Sequence, residues 1–207
     1  MMKKILVLFS LITLIVFSFV GCDKLKTPQD SFEERQTAYM NFLSDLNSGK
    51  ENPQNLYKDG ERELEEHELN EIEHFYCLKD LDGDGLQELI VKNNFVNVTV
   101  YTFNDGLKKV GNENFGTGTT RLLYSDNPSY FGVFTFWVGG GLNHYGYLTV
   151  VGDDLIHEEI WNYDYAGITK DFGLNRKKVE ELSSDKQLIA ESKRIYKENR
   201  DLEFQEV

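Results

Sequence analysis

The apolar positions of the chain change their spacing as it is read from one end to the other. Phe32, Tyr39, Phe42, Leu43 and Leu46 recur at intervals of three, four and seven, the period of a helix with one buried stripe. Ser31 and Glu34 have the capping-box form that opens such a helix, and Asn47-Ser48-Gly49 supplies its stop. After Ile72 the period drops to two. Val96, Val98, Val100 and Thr102 point one way while Asn97, Thr99, Tyr101 and Phe103 point the other, as on a pleated strand. The pattern predicts strands over 72–79, 88–92, 96–103, 107–110, 121–124, 130–138, 145–151 and 155–165. The stretch 130–138 is almost wholly apolar, which predicts a central strand covered on both faces.

The connections between these strands are short. Asn104-Asp105-Gly106 is a hairpin signal, and Ser125-Asp126-Asn127-Pro128 and Gly152-Asp153-Asp154 suit β-turns. Short links pair neighbours antiparallel, because a parallel pair needs a long crossover. The helical period returns at 186–199, where Leu188, Ile189, Ser192, Ile195 and Tyr196 form a stripe with Ser184 or Asp185 as cap. A last extended piece, 202–207, adds an edge strand. The fold class predicted is α+β: an antiparallel β-meander of about seven or eight strands flanked by an N-terminal and a C-terminal helix.

Ahead of the first helix the chain changes character. Lys3 and Lys4 precede an apolar run over 5–20, which ends in Phe19-Val20-Gly21-Cys22. Small residues before a cysteine at the close of such a run resemble the bacterial lipobox, with Phe19 where leucine is usual. This implies that residues 1–21 are a lipoprotein signal peptide and that Cys22 carries the lipid. Sixteen residues from 5 to 20 fall short of the ~20 that a membrane span needs. Residues 22–30 are polar, contain Pro28 and read as a tether, leaving 31–207 as a single β-rich domain.

Charge narrows the partners. The chain carries 22 basic and 35 acidic residues, a formal charge of −13, and loss of Lys3 and Lys4 takes it to −15. No nucleic acid is expected, since its affinity comes largely from Lys and Arg on phosphates. The acidic run from Glu51 to Glu73 reads as a short helix or a solvated face. With Cys22 acylated, Cys77 is alone, so no intramolecular disulfide is available. In the strand-like Phe75-Tyr76-Cys77-Leu78-Lys79 it reads as a small buried hydrophobe.

One stretch concentrates chemistry: Asp80-Leu81-Asp82-Gly83-Asp84-Gly85-Leu86-Gln87-Glu88. Carboxylates at alternate positions repel one another unless a cation relieves them. Ca²⁺ takes six to eight oxygens, which a short loop supplies only if alternate side chains converge. Asp80, Asp82 and Asp84 stand at loop positions one, three and five, Gly85 permits the sharp turn, Leu86 offers its backbone carbonyl, and Glu88 closes the site. Val91 stands where an EF-hand places its bidentate glutamate, and the flanks read as strands. The expected cofactor is Ca²⁺ in a structural role, the alternative being a tight acidic turn over Asp82-Gly83-Asp84-Gly85 with no ion.

The loop resembles the calcium loops that join β-strands in FG-GAP-like and related repeats of extracellular proteins. Tyr76 to Val91, followed by Val98 to Gly106 and taken with the lipobox, is similar to a type of exported bacterial lipoprotein that carries one such loop. That resemblance implies a fold, a metal and an extracytoplasmic place on the cell membrane rather than an activity.

Catalytic motifs give little. His67, His74, His144 and His157 make no ligand-spaced set, and Gly139-Gly140-Gly141 leads into strand-like residues without the lysine of a phosphate loop. Glu158 and Glu159 are adjacent on a strand and face opposite sides, so they cannot flank one glycosidic bond. The chain is not expected to be an enzyme. Aromatics are the usual filling of β-structure, so Trp161, Tyr163 and Tyr165, which share one strand face, read as core, with a candidate ligand face for a glycan, peptide or protein as the alternative. The expectation is a lipid-anchored, calcium-stabilised module that binds within the cell envelope. A cell-wall-active hydrolase and an immunity or inhibitor lipoprotein are the competing readings.

Overall fold

The computed structural model describes residues 28–51, 72–93, 97–115, 120–139, 142–164 and 179–207. The signal stretch, Cys22, most of the tether, the greater part of the acidic run, His67 and Tyr165 lie outside them. The chain divides into two compact units, Met1–Glu34 and Arg35–Val207.

Helix α1 spans Pro28–Asn47, three residues earlier than the capping box at Ser31 predicts. Proline suits a first helical turn, since its φ is preset and its missing N–H has no partner to lose. The helix ends as expected: Gly49 adopts φ 71° and its amide donates to the Leu46 carbonyl. Ten strands follow among the described residues. They are β1 His74–Lys79, β2 Glu88–Asn93, β3 Asn97–Phe103, β4 Leu107–Asn114, β5 Thr120–Leu123, β6 Val133–Gly139, β7 Leu142–Val151, β8 Asp154–Asp164, β9 Val179–Glu181 and β10 Gln205–Glu206. Helix α2, Lys186–Glu198, precedes β10.

The strands form two sheets rather than one meander. The first runs β10-β1-β2-β3-β4 and the second β5-β6-β7-β8-β9, with every pairing antiparallel. The expectation of one continuous meander is corrected: each sheet is a run of hairpins, and the C-terminal strand returns to pair with β1. The physical reason lies in strands such as β2, where Leu89, Ile90 and Val91 are all fully buried. A strand apolar on both faces needs a layer on each side.

Three buried clusters occupy the spaces between layers. Tyr39, Leu43 and Leu46 of α1 pack with Leu89, Val91 and Tyr101 of the first sheet. Between the sheets lie Cys77, Ile90, Val98 and Val100 from one side and Val133, Trp137, Leu148 and Val150 from the other. Phe134, Phe136, Tyr145, Ile160 and Trp161 pack with Leu188, Ile189 and Ile195 of α2. The layers therefore run α1, first sheet, second sheet, α2. Along β6 the alternation is direct: Val133 and Trp137 face the other sheet, Phe134 and Phe136 face α2. β6 is covered on both faces, as its composition predicts, but begins at Val133 because Tyr130 closes a turn onto the Asn127 carbonyl.

The hairpin signals form as read. Asp105 takes φ 53° between β3 and β4, and Gly152 takes φ 64° between β7 and β8. Asp185 caps α2, its Oδ1 accepting from the amides of Gln187 and Leu188. Cys77 is buried and unpaired by disulfide, and burial pushes its thiol up to about 12. A thiol so held is a poor nucleophile. Among the described residues no helix is long and apolar enough to cross a membrane.

Candidate metal centre

The site is built by the β1–β2 hairpin. Its register pairs Lys79 with Glu88, so the carboxylate that opens β2 comes beside Asp80, the first residue after β1. The intervening loop alternates acid with glycine or leucine, and Gly83 and Gly85 take φ 83° and 84°. Those two left-handed residues fold the chain back on itself. Asp80, Asp82 and Glu88 each present an oxygen, and these oxygens lie within 4.8 Å of one another.

The loop organises its own acids. Asp80 Oδ1 accepts from the Gly83 amide at 2.7 Å and Oδ2 from the Gly85 amide at 3.0 Å. Asp82 Oδ1 accepts from the Asp84 amide at 3.0 Å. Glu88 Oε2 accepts from the Leu81 amide at 2.8 Å. A carboxylate oxygen has more than one lone-pair direction, so one N–H on each leaves room for a cation. Asp84 stands apart: its Oδ1 turns back to the Leu86 amide at 2.7 Å, and it is not among the converging three. Leu86 is half-buried. Of the five predicted ligands, Asp80, Asp82 and Glu88 are brought together, while Asp84 and the Leu86 carbonyl are left with the spacing as their only argument.

Glu88 is the unusual member. It is 1% exposed, and burial, reinforced by the charges of Asp82 and Asp84, raises its carboxyl to about 7 against the opposing pull of the Leu81 amide and Arg35. Asp82 is raised as well, first by burial and then by the charges of Asp84 and Asp80. The cation nearest Glu88 is Arg35, whose Nη1 lies 3.7 Å from Oε1. Arg35 is committed elsewhere, donating to the carbonyls of Gln87 at 3.1 Å and Phe103 at 3.0 Å. The Tyr39 hydroxyl also donates to Gln87 O, at 3.0 Å. Sequence reasoning missed Arg35, although a signal was there: it sits four residues before Tyr39, a charge within reach of the helix's buried stripe.

Of the two readings of the aromatic face, Trp161 takes the first, core. Trp161 is 7% exposed beneath α2, stacked on Tyr145 at 3.4 Å between centroids, with its Nε1 donating to Ser192 Oγ at 3.1 Å. Tyr163 packs partly buried against the same cluster. Trp161 is thus filling between sheet and helix, not an open platform, and Tyr165 lies outside the described residues.

Two imidazoles, His144 and His157, are held within the second sheet. His157 Nε2 is 3.0 Å from Thr135 Oγ1 and its Nδ1 is 3.3 Å from Glu113 Oε1, an order that resembles nucleophile, base and orienting acid. Thr135 is only 1% exposed, however, and the backbone at Gly146 comes so close to both side chains that even a Cβ there would collide with them. The three therefore bridge the sheets. His144 stacks on Trp137 with Glu159 Oε1 3.4 Å from its Nδ1. Gly139 and Leu142 pair directly between β6 and β7, so the residues on either side of the glycine run are strand and not helix.

Set against protein-family models, curated proteins and solved structures, the chain matches none of them.

Proposed function

We propose that the protein is a lipid-anchored, extracytoplasmic binding module of the bacterial envelope whose fold is stabilised by a calcium ion in the β1–β2 loop. One observation carries the metal: three carboxylates converge within 4.8 Å, and the most buried of them, Glu88, faces two further acids with one guanidinium at 3.7 Å. Burying a charge among like charges is costly unless it is paired. Asp80, Asp82 and Glu88 would hold the ion, with Asp84 and the Leu86 carbonyl within the same loop. The ion would supply positive charge where the acids converge. Calcium suits the set better than magnesium, which keeps its waters and seldom uses an all-protein cage.

The role follows from position. The loop joins two strands of a packed sheet, so an ion bound there acts on the folded state and stabilises it by mass action. The address and anchor rest on the lipobox-like Phe19-Val20-Gly21-Cys22, and the acidic balance points to a glycan, peptide or protein partner rather than nucleic acid. Calorimetric titration of the protein with CaCl₂ and MgCl₂ tests the metal: saturable calcium binding, weaker for magnesium and lost in Asp80→Asn/Asp82→Asn, is expected. Absence of calcium binding by the wild-type protein would remove the reading.

A further inference from the structure

We infer that the calcium loop is keyed to the second sheet through Leu81, and that Thr149 on β7 is a positioning residue for ion binding. The inference rests on the cation reading above. It starts from a gap in the second sheet: β6 pairs with β7 only from Val133 opposite Leu148, so the next residues of β7 have no β6 partner on that side. Leu81 fills the place. Its carbonyl accepts from the Thr149 hydroxyl at 2.6 Å and, more distantly, from the Val150 amide at 3.4 Å.

The same residue reaches the carboxylates. The Leu81 amide donates to Glu88 Oε2 at 2.8 Å, and its side chain is fully buried in the space between the sheets with Val133, Leu148 and Val150. One residue therefore links the most buried carboxylate of the site to a hydroxyl on the opposite sheet. A second contact supports the same face of the loop: a Cβ at Gly83 would lie 2.7 Å from the ring of Phe131, in the segment leading into β6. From the other side Arg35 and Tyr39 hold the Gln87 carbonyl. The loop is fixed between α1 and the second sheet, with Leu81 as the hinge between ion and β7.

Such an arrangement is reciprocal. If the Thr149 hydroxyl holds Leu81, and so Glu88, in the ion-binding position, then a bound ion in turn holds Leu81 against β7. Residues that orient a ligand from behind typically change metal affinity by 10–100-fold when removed. Thr149→Val keeps the shape and loses the hydroxyl; Thr149→Ser keeps the hydroxyl.

The test is calcium titration of the wild-type protein and both variants, with hydrogen exchange of the Val150 amide in calcium and in chelator. The expected result is a calcium Kd raised roughly tenfold in Thr149→Val, restored in Thr149→Ser, and slower Val150 exchange when calcium is present. A wild type that binds calcium while Thr149→Val binds it equally well, or while Val150 exchange ignores the ion, overturns the coupling and leaves the metal reading intact. A wild type that binds no calcium overturns both. Because the exchange measurement needs only the wild-type protein, a variant that fails to fold does not shelter the claim.

Discussion

The two outer layers of the molecule are held by different chemistry. Over the first sheet, α1 buries Tyr39, Leu43 and Leu46 and also reaches into the sheet with a charge, Arg35, which is only 5% exposed. Over the second sheet, α2 sets Tyr196 on the rings of Phe136 and Tyr145, with Trp161 stacked on Tyr145, and the indole makes one hydrogen bond, to Ser192. The richer aromatic face is packing. Each layer buries a carboxylate, but Glu191 of α2 is bonded directly by Arg194 and Ser125, whereas Glu88 faces Asp82 and Asp84 with Arg35 at 3.7 Å. In this protein a buried carboxylate among other acids marks the candidate site better than a run of aromatic residues does.

That contrast predicts which substitutions will feel calcium. The largest loss belongs to the α2 side: Phe134→Ala, at a residue 1% exposed, should cost about 3–5 kcal/mol in urea unfolding. The loss should be the same in calcium and in chelator. Arg35→Met should cost about 3 kcal/mol in chelator, because it leaves Glu88 buried among acids without its guanidinium. In millimolar calcium the loss should shrink, since the ion offsets the same charge. Equal losses in the two conditions would mean that Arg35 and the ion do not share Glu88.

Smaller effects separate the loop's two glycines. Both have φ near that of a left-handed residue, which costs an ordinary side chain roughly 1–2 kcal/mol. Gly85→Ala meets nothing within 4 Å, whereas Gly83→Ala meets the Phe131 ring. Gly83→Ala should therefore be the more destabilising of the pair by thermal melting, and equality would show that Phe131 does not brace the loop. Trp161→Phe should cost about 1 kcal/mol, the worth of its bond to Ser192, with no change in calcium affinity by titration. A shift in that affinity would break the division between the two layers.

Much of this was legible in the residues. The alternation of acids from Asp80 to Asp84 and the closing Glu88 are local, so the loop could be read directly, as could the hairpins at Asp105 and Gly152 and the stripe of α2. What escaped depends on contacts distant in sequence. Period-two alternation tells that Val98 and Val100 share a face, but not whether that face meets a helix or another sheet. Hence the pattern predicts one sheet where the fold has two. β9 is three exposed residues with too little pattern to register. Trp161 and Ile160 both turn toward α2 because the β7–β8 register shifts between Tyr145 and Gly146, and such an irregularity leaves no mark in the spacing. Thr149 looks like any strand threonine until Leu81 is placed beside it.

The central claim is that an ion in the β1–β2 loop belongs to the folded state. Melting the protein in millimolar CaCl₂ and again in excess chelator tests it most directly. Binding at a hundred times Kd stabilises by about 2.7 kcal/mol, which for a domain of this size raises Tm by roughly 5–10 °C. That rise should disappear in Asp82→Asn, at the exposed member of the converging three. Superimposable melts of the wild-type protein with and without calcium would contradict the account.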